Sequence, residues 1–480
     1  MLRAALLILS FLLAPLTVHA TCTGASPNWI CTGTTGLTTE VNSLINSGSP
    51  AGFTRGDTIT ATATGTYAQS AAFSLTKGVT LVGPGRDSLT LTRSGQLLTI
   101  EPDATAIANE ENIKVTGFSF NANNSASIIV QIDGNGPTGT KPYRYVILGD
   151  NRFQNTTQEA IHGWGQARGV IYNNIFDRVN MVFRPWGSDD YREQQNGNYP
   201  PAFGTADNLY FEDNSITCST SVTGGDPGWI ESGQGGRMAV RYNTWNLTNC
   251  SQQEWLDIHG QQNWSGGSGG QTGTMVTEFY GNNCGTNCNG YRGINHRGGW
   301  GLFFNNTSTG SGAMSHEINQ YDTGDSGGSG CNSQMPNAGG GYNGQINNSY
   351  FWNHTHNGSN KAAGQGGLGN GCGIAQNSDY WFENAACTTS SCSAGVGKST
   401  SVPTGTCSVG TGFWVATTSS TTVNSSVIQN GTFYKCTATN VWTAYYTPYT
   451  YPHPLRSGGT PDTTPPAAPS GLFISQVQAR

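Results

Sequence analysis

Residues 145–153, YVILGDNRF, and residues 169–176, GVIYNNIF, decide the fold. Each is a short apolar run that ends in Asn and resumes with another apolar residue. The same shape returns at 208–216 (NLYFEDNSI), 238–245 (MAVRYNTW), 276–283 (VTEFYGNN), 301–307 (GLFFNNT) and 345–352 (QINNSYFW). Runs of four or five apolar and β-branched residues bounded by Asn and Gly read as strands. Asn suits a left-handed turn and can hydrogen-bond to its counterpart in the next copy. The Asn residues at 151, 174, 214, 243, 282 and 306 recur at a base step in the low twenties, with insertions. Repeats of that length, one strand stacked on its equivalent about 4.8 Å away, describe a parallel β-helix.

Composition agrees with an all-β chain. Gly is 67 of 480 residues, about twice the ordinary share of roughly 7%. Charged residues are 10%, against roughly 25% in a typical domain, so helix formers are scarce. Aromatic residues at 10% and a net charge of -6 argue against disorder. No basic patch is present, which argues against nucleic acid as partner.

The first twenty residues read as a secretory signal peptide: Arg3, an apolar run from Ala4 to Leu13, then small residues through Ala20. No later run is long enough to span a bilayer, so no membrane insertion is expected. The twelve Cys all follow residue 20, and an even number in an exported chain suggests disulfides. Pairing neighbours gives 22–31, 218–250, 284–288, 331–372, 387–392 and 407–436; sequence leaves that connectivity open.

Leu37 to Ile45 is a short amphipathic stretch suited to capping one end of a stack of strands. It leads into GDTITATATGTY at 56–67 and GVTLVGPG at 78–85. This opening resembles that of right-handed parallel β-helix proteins of the pectate-lyase-like kind. The resemblance covers roughly residues 37 to 385. It implies that fold with a short N-terminal capping helix, and leaves function open, because one fold hosts many activities. The expected organisation is a signal peptide (1–20), an N-terminal cap (21–60), the β-helix (61–395), a small C-terminal β cap (396–456) and a Pro/Thr/Gly-rich tail (457–480).

A second column precedes the Asn-ending strands: an apolar residue, a polar one, and usually a turn former. It runs Ile100-Glu101, Ile132-Asp133, Ile161-His162, Phe183-Arg184, Ile230-Glu231, Ile258-His259 and Ile294-Asn295. Strand alternation turns the apolar member inward and its polar neighbour outward. Glu101, Asp133, His162, Arg184, Glu231, His259 and Asn295 then form one outer row, with Asp257 on the same side two residues before His259. A polar outer face needs no function, but His, Arg and Glu gathered in so weakly charged a chain suggest one.

His162, Arg184, Glu231, Asp257 and His259 are therefore the candidate catalytic residues. Long insertions after Arg184 and His259 supply Trp186, Tyr191, Tyr199 and Trp264, aromatic walls suited to sugar rings. Trp186, Tyr191 and Trp264, with His296 and Arg297, are the candidate substrate-binding residues. Asp189, Asp190 and Asp226 are a candidate calcium site, since calcium favours clustered carboxylates. GDSGG at 324–328 copies a serine-protease string without that fold's context, and carries little weight.

These residues lead to a secreted polysaccharide-degrading enzyme. β-Elimination stands ahead of hydrolysis: Arg184 would neutralise a uronate carboxylate while His259 or His162 removes the adjacent proton. In hydrolysis the pair would be Glu231 and Asp257. The alternative is a non-catalytic glycan-binding or structural surface protein.

Overall fold

The computed structural model describes residues 22–134, 146–165, 167–187, 203–219, 228–233, 235–249, 254–260, 274–286, 292–310, 316–318, 346–360, 365–366, 374–416 and 431–457. Strand makes up 52% of them and helix 6%, so the protein is mostly β, and its two long sheets are parallel but for one antiparallel pair in each. The expected leader and nearly all of the expected tail lie outside the described residues.

The first long sheet has thirteen strands. Its parallel pairs follow chain order, through Val146–Gly149, Gly169–Tyr172, Leu209–Glu212, Arg237–Arg241, Val276–Tyr280 and Trp300–Phe304. The strands between these join the second long sheet, again parallel to their predecessors. From Thr58–Ala61 to Trp300–Phe304, each described strand of the first sheet is thus followed by one or two of the second before the chain returns to the first.

The early strands of the first sheet, Thr58–Ala61 and Val79–Val82, bury every second residue. From Val146–Gly149 onward all four residues are buried, which explains the shift from alternating to continuous apolar runs. The C-terminal segment covers their second face. Tyr449 and Leu455 pack with Ile147, Val170, Tyr172 and Tyr210, and Trp414, Phe433 and Tyr446 pack with Tyr280, Phe304 and Trp352. Arg241, fully buried, donates to the carbonyls of Tyr449 and Thr450 and pairs with the equally buried Glu212. On the other face, stacked rings such as Phe120, Phe153 and Phe176, 5.2–5.6 Å apart, fill the core.

The Asn column is a hydrogen-bonded ladder. The backbone N–H of Asn151 donates to Oδ1 of Asn174, that of Asn174 to Asn214, and so on through Asn243 and Asn282 to Asn306, at 2.9–3.0 Å. The left-handed residue is the one before each rung, not the rung itself: Asp150, Asn173, Asp213, Tyr242 and Asn305 have φ of 50–59°. The turn aims the following Asn inward, where its side chain satisfies backbone groups of the preceding coil. The seventh copy is displaced. Its strand is Ser349–Trp352, so Asn353 takes the left-handed turn and His354 meets the ladder at Asn306.

Leu37–Asn42 is helical and continues in one π-helical turn, Ser43–Ser47, burying Leu37, Val41, Leu44 and Ile45. At the other end Val396–Ser399, Gly412–Ala416, Gly431–Ala438 and Val441–Tyr446 form a four-stranded sheet. Disulfides join Cys22 to Cys31, Cys387 to Cys392 and Cys407 to Cys436. Cys218 and Cys284 are also disulfide-bonded; Cys250, Cys288, Cys331 and Cys372 lie outside the described residues. Disulfides of this kind suit an oxidising compartment. Among the described residues, no helix is long and apolar enough to cross a membrane.

Candidate functional site

The second long sheet brings the candidate catalytic residues together. Ile161, Phe183, Ile230 and Leu256 point into the core, so the residues that follow them face the opposite way. His162 is the register partner of Arg184, and Glu231 that of Asp257. Phe183 pairs with Ile230, which sets Arg184 beside Glu231. Four strands in succession therefore present His162, Arg184, Glu231 and Asp257 at one level.

The expected row needs one correction. Asp133 is level with Trp164, not with His162, and Glu231 is level with Asp257, not with His259. Glu101, Asp133 and His259 stand two residues further along their strands than the row containing His162. A slip of two keeps every side chain on its face, so alternation alone cannot detect it.

Arg184 lies between two carboxylates. Its Nη1 donates to Glu159 Oε1 at 2.6 Å, and its Nε is 2.8 Å from Glu231 Oε1. Its guanidinium also sits over the Trp186 ring, 3.7 Å from the centroid. His162 approaches the same Glu159 oxygen at 3.7 Å. Burial alone would raise the Glu159 pKa, but His162 and Arg184 outweigh it and bring it down to about 2.

Asp257 anchors a second group. Arg297 donates to both of its carboxyl oxygens, through Nε at 2.9 Å and through Nη2. His259 Nε2 lies 3.1 Å from Asp257, 3.6 Å from Glu231 and 2.6 Å from Arg297. Burial works against the Asp257 anion, yet Arg297 and His259 hold its carboxyl well below the usual range. It stays ionised.

The group is largely enclosed. His162, Glu231 and Asp257 are 3–4% exposed, whereas the side chains of Arg184 and His259 keep 17% and 13%. Both ring nitrogens of His162 and Nε1 of Trp186 are buried without a hydrogen-bond partner. Buried polar atoms in this state are costly, and they mark sites that meet a ligand or a proton.

Two contributors were missed in the sequence. Glu159 precedes the expected strand motif, and an irregularity between Thr156 and Glu159 breaks the alternation there. Trp164 was legible, because it stands two residues after His162 and so on the same face. Its ring stacks on His162 at 4.7 Å and stands edge-on to Trp186 at 5.0 Å.

The candidate binding residues divide. Trp186 and Arg297 join the group. His296 does not: it is fully buried, pairs in register with the core residue Ile258, and hydrogen-bonds Ser349 Oγ at 2.8 Å. Burial takes its pKa down to about 3, so it is neutral. Alternation gives the reason, since Asn295 and Arg297 face outward and the residue between them must face in. Tyr191, Tyr199, Trp264, the serine-protease-like string and the candidate calcium ligands Asp189, Asp190 and Asp226 lie outside the described residues. Among the described residues, no group of three His, Cys, Asp or Glu is arranged to hold a metal ion.

No family model, curated protein or solved structure matches this chain.

Proposed function

We propose that the protein is a secreted glycoside hydrolase working on a polysaccharide, with Glu231 and Asp257 as its carboxyl pair. The observation that carries this reading is their register partnership, with His259 Nε2 within 3.6 Å of a carboxyl oxygen of each. Residues level on adjacent strands stand about 4.8 Å apart. Side chains rising from that backbone spacing favour the closer, retaining carboxyl separation of about 5–5.5 Å over the 6.5–9.5 Å of inverting enzymes.

Asp257, kept anionic by Arg297 and His259, acts as the nucleophile at the anomeric carbon. Glu231 gives its proton to the leaving oxygen, then takes one from the water that releases the sugar. Trp164 and Trp186 supply aromatic surface of the kind that packs against sugar rings.

Hydrolysis moves ahead of elimination because of the arginines. Arg184 already holds Glu159 and touches Glu231, and Arg297 holds Asp257. A uronate would have to displace one of these buried carboxylates. Elimination therefore ranks second.

The sheet architecture fits a right-handed parallel β-helix of the pectate-lyase-like kind, which is the fold we propose. In-order parallel pairing, two alternating sheets, the Asn ladder and the capping helix support it. Export is supported by the residues before Thr21 and by the disulfides.

The test is digestion of a panel of polysaccharides by the mature chain. Reducing ends without ultraviolet absorbance support hydrolysis. Absorbance rising with them restores elimination, and silence in both leaves the non-catalytic reading.

A further inference from the structure

We infer that this face takes an uncharged glycan, one of whose sugars lies against His162, Trp164 and Trp186. The inference rests on reading the face as a glycan-cleaving site, and deepens it by naming the substrate class.

Charge gives the first argument. The described group has three carboxyl groups, Glu159, Glu231 and Asp257, and two guanidinium groups, Arg184 and Arg297. Each guanidinium is engaged by a carboxylate at 2.6–2.9 Å. Neither guanidinium is left without a carboxyl partner, and Glu101 and Asp133 follow on the same outer face. A polyuronate would bring a carboxylate per residue into this field, and taking Arg184 would strip Glu159 of its buried partner. A neutral sugar asks for none of this.

Unpartnered atoms give the second. His162 is 3% exposed, and neither ring nitrogen has a hydrogen-bond partner. Trp186 Nε1 is buried and unpartnered too. A neutral imidazole offers one donor and one acceptor, and an indole one donor. Sugar hydroxyls, each both donor and acceptor, can meet all three. Trp164, stacked on His162 and only part-buried, offers the apolar surface that packs on a sugar's C–H face.

Position gives the third. His162 stands two strands from Glu231, roughly 10 Å along the sheet. That places this contact on a neighbouring sugar, away from the bond being cut. It governs which chain binds, while Glu231 and Asp257 govern whether it is cleaved.

The experiment is affinity electrophoresis of the mature chain in gels containing neutral xylan, a neutral β-glucan or polygalacturonate. Wild type, Trp164→Ala and His162→Gln are compared, with circular-dichroism melts as the folding control. At least one neutral polymer should bind ten times tighter than polygalacturonate. Both variants should weaken that binding about tenfold, with melts unchanged. The inference is overturned if polygalacturonate binds as tightly, if no polymer binds, or if both folded variants bind as wild type does. Neutral binding without cleavage would sink the hydrolase reading alone. Cleavage confined to polyuronates would sink this inference alone.

Discussion

Glu231 and Asp257 are register partners on adjacent parallel strands, and the Nε2 atom of His259 lies within 3.6 Å of a carboxyl oxygen of each. Two carboxylates so close, with Arg297 fixed to only one, have different environments. Asp257 is a fixed anion. Glu231 instead meets Arg184 Nε at 2.8 Å. That asymmetry is what acid and nucleophile roles require.

Removing either carboxyl should stop turnover. Glu231→Gln and Asp257→Asn are each expected to lower kcat by about 10²- to 10⁴-fold, the usual weight of a positioned acid, base or nucleophile. Glu231→Gln removes the charge facing Arg184 Nε at 2.8 Å, so it should stay folded but melt somewhat below the wild type. Reducing-end kinetics alongside circular-dichroism melts check both statements. A fully active, folded Glu231→Gln enzyme would remove Glu231 from the mechanism.

Stability should fall in acid through Glu159. Its folded pKa, about 2, lies below an unfolded value of roughly 4.3. The ionised form is thus favoured by folding. Its contribution is fully present above the unfolded pKa and is lost as pH falls toward the folded one. Glu159→Gln should flatten that part of the urea midpoint–pH curve, at a neutral-pH cost of about 1–3 kcal/mol for the lost charged hydrogen bond. An acid limb identical to wild type would contradict the assignment.

The ladder makes a purely structural prediction. Asn243 Oδ1 accepts from the Asn214 backbone N–H, and its Nδ2 donates to the Phe211 carbonyl at 2.8 Å, all of it buried. Asn243→Ala leaves both groups unsatisfied. Each costs about 1–3 kcal/mol, so the urea midpoint should drop well below wild type. Asn246→Ala, at a residue classed as exposed and outside the ladder, should change it little.

Stereochemistry follows from spacing. Carboxyls about 5 Å apart retain the anomeric configuration, so proton NMR of fresh digests should show the starting anomer first. Initial appearance of the opposite anomer would place a water between Glu231 and Asp257.

Most of the framework was readable before any coordinates. The Asn rungs at 151, 174, 214, 243, 282 and 306 all fall where spacing put them, because a buried amide that satisfies backbone groups has few substitutes. Alternation also gave the correct outward side for His162, Arg184, Glu231 and Asp257. It could not give their level: a two-residue slip leaves sidedness untouched, which is how His259 took the place of Asp257. Glu159 was hidden by an irregular stretch of strand. His296 was misplaced by treating two consecutive residues as if they shared a face. The ion pairs that restrain Arg184 and Arg297 join different strands, and no local pattern announces them.

The most direct test of the carboxyl-pair account is digestion of a neutral polysaccharide in heavy-oxygen water, with products read by mass spectrometry. Hydrolysis predicts one labelled oxygen at each new reducing end, absent when Glu231→Gln replaces the wild type. Unlabelled products, each lighter by a water and carrying an unsaturated sugar, would contradict it.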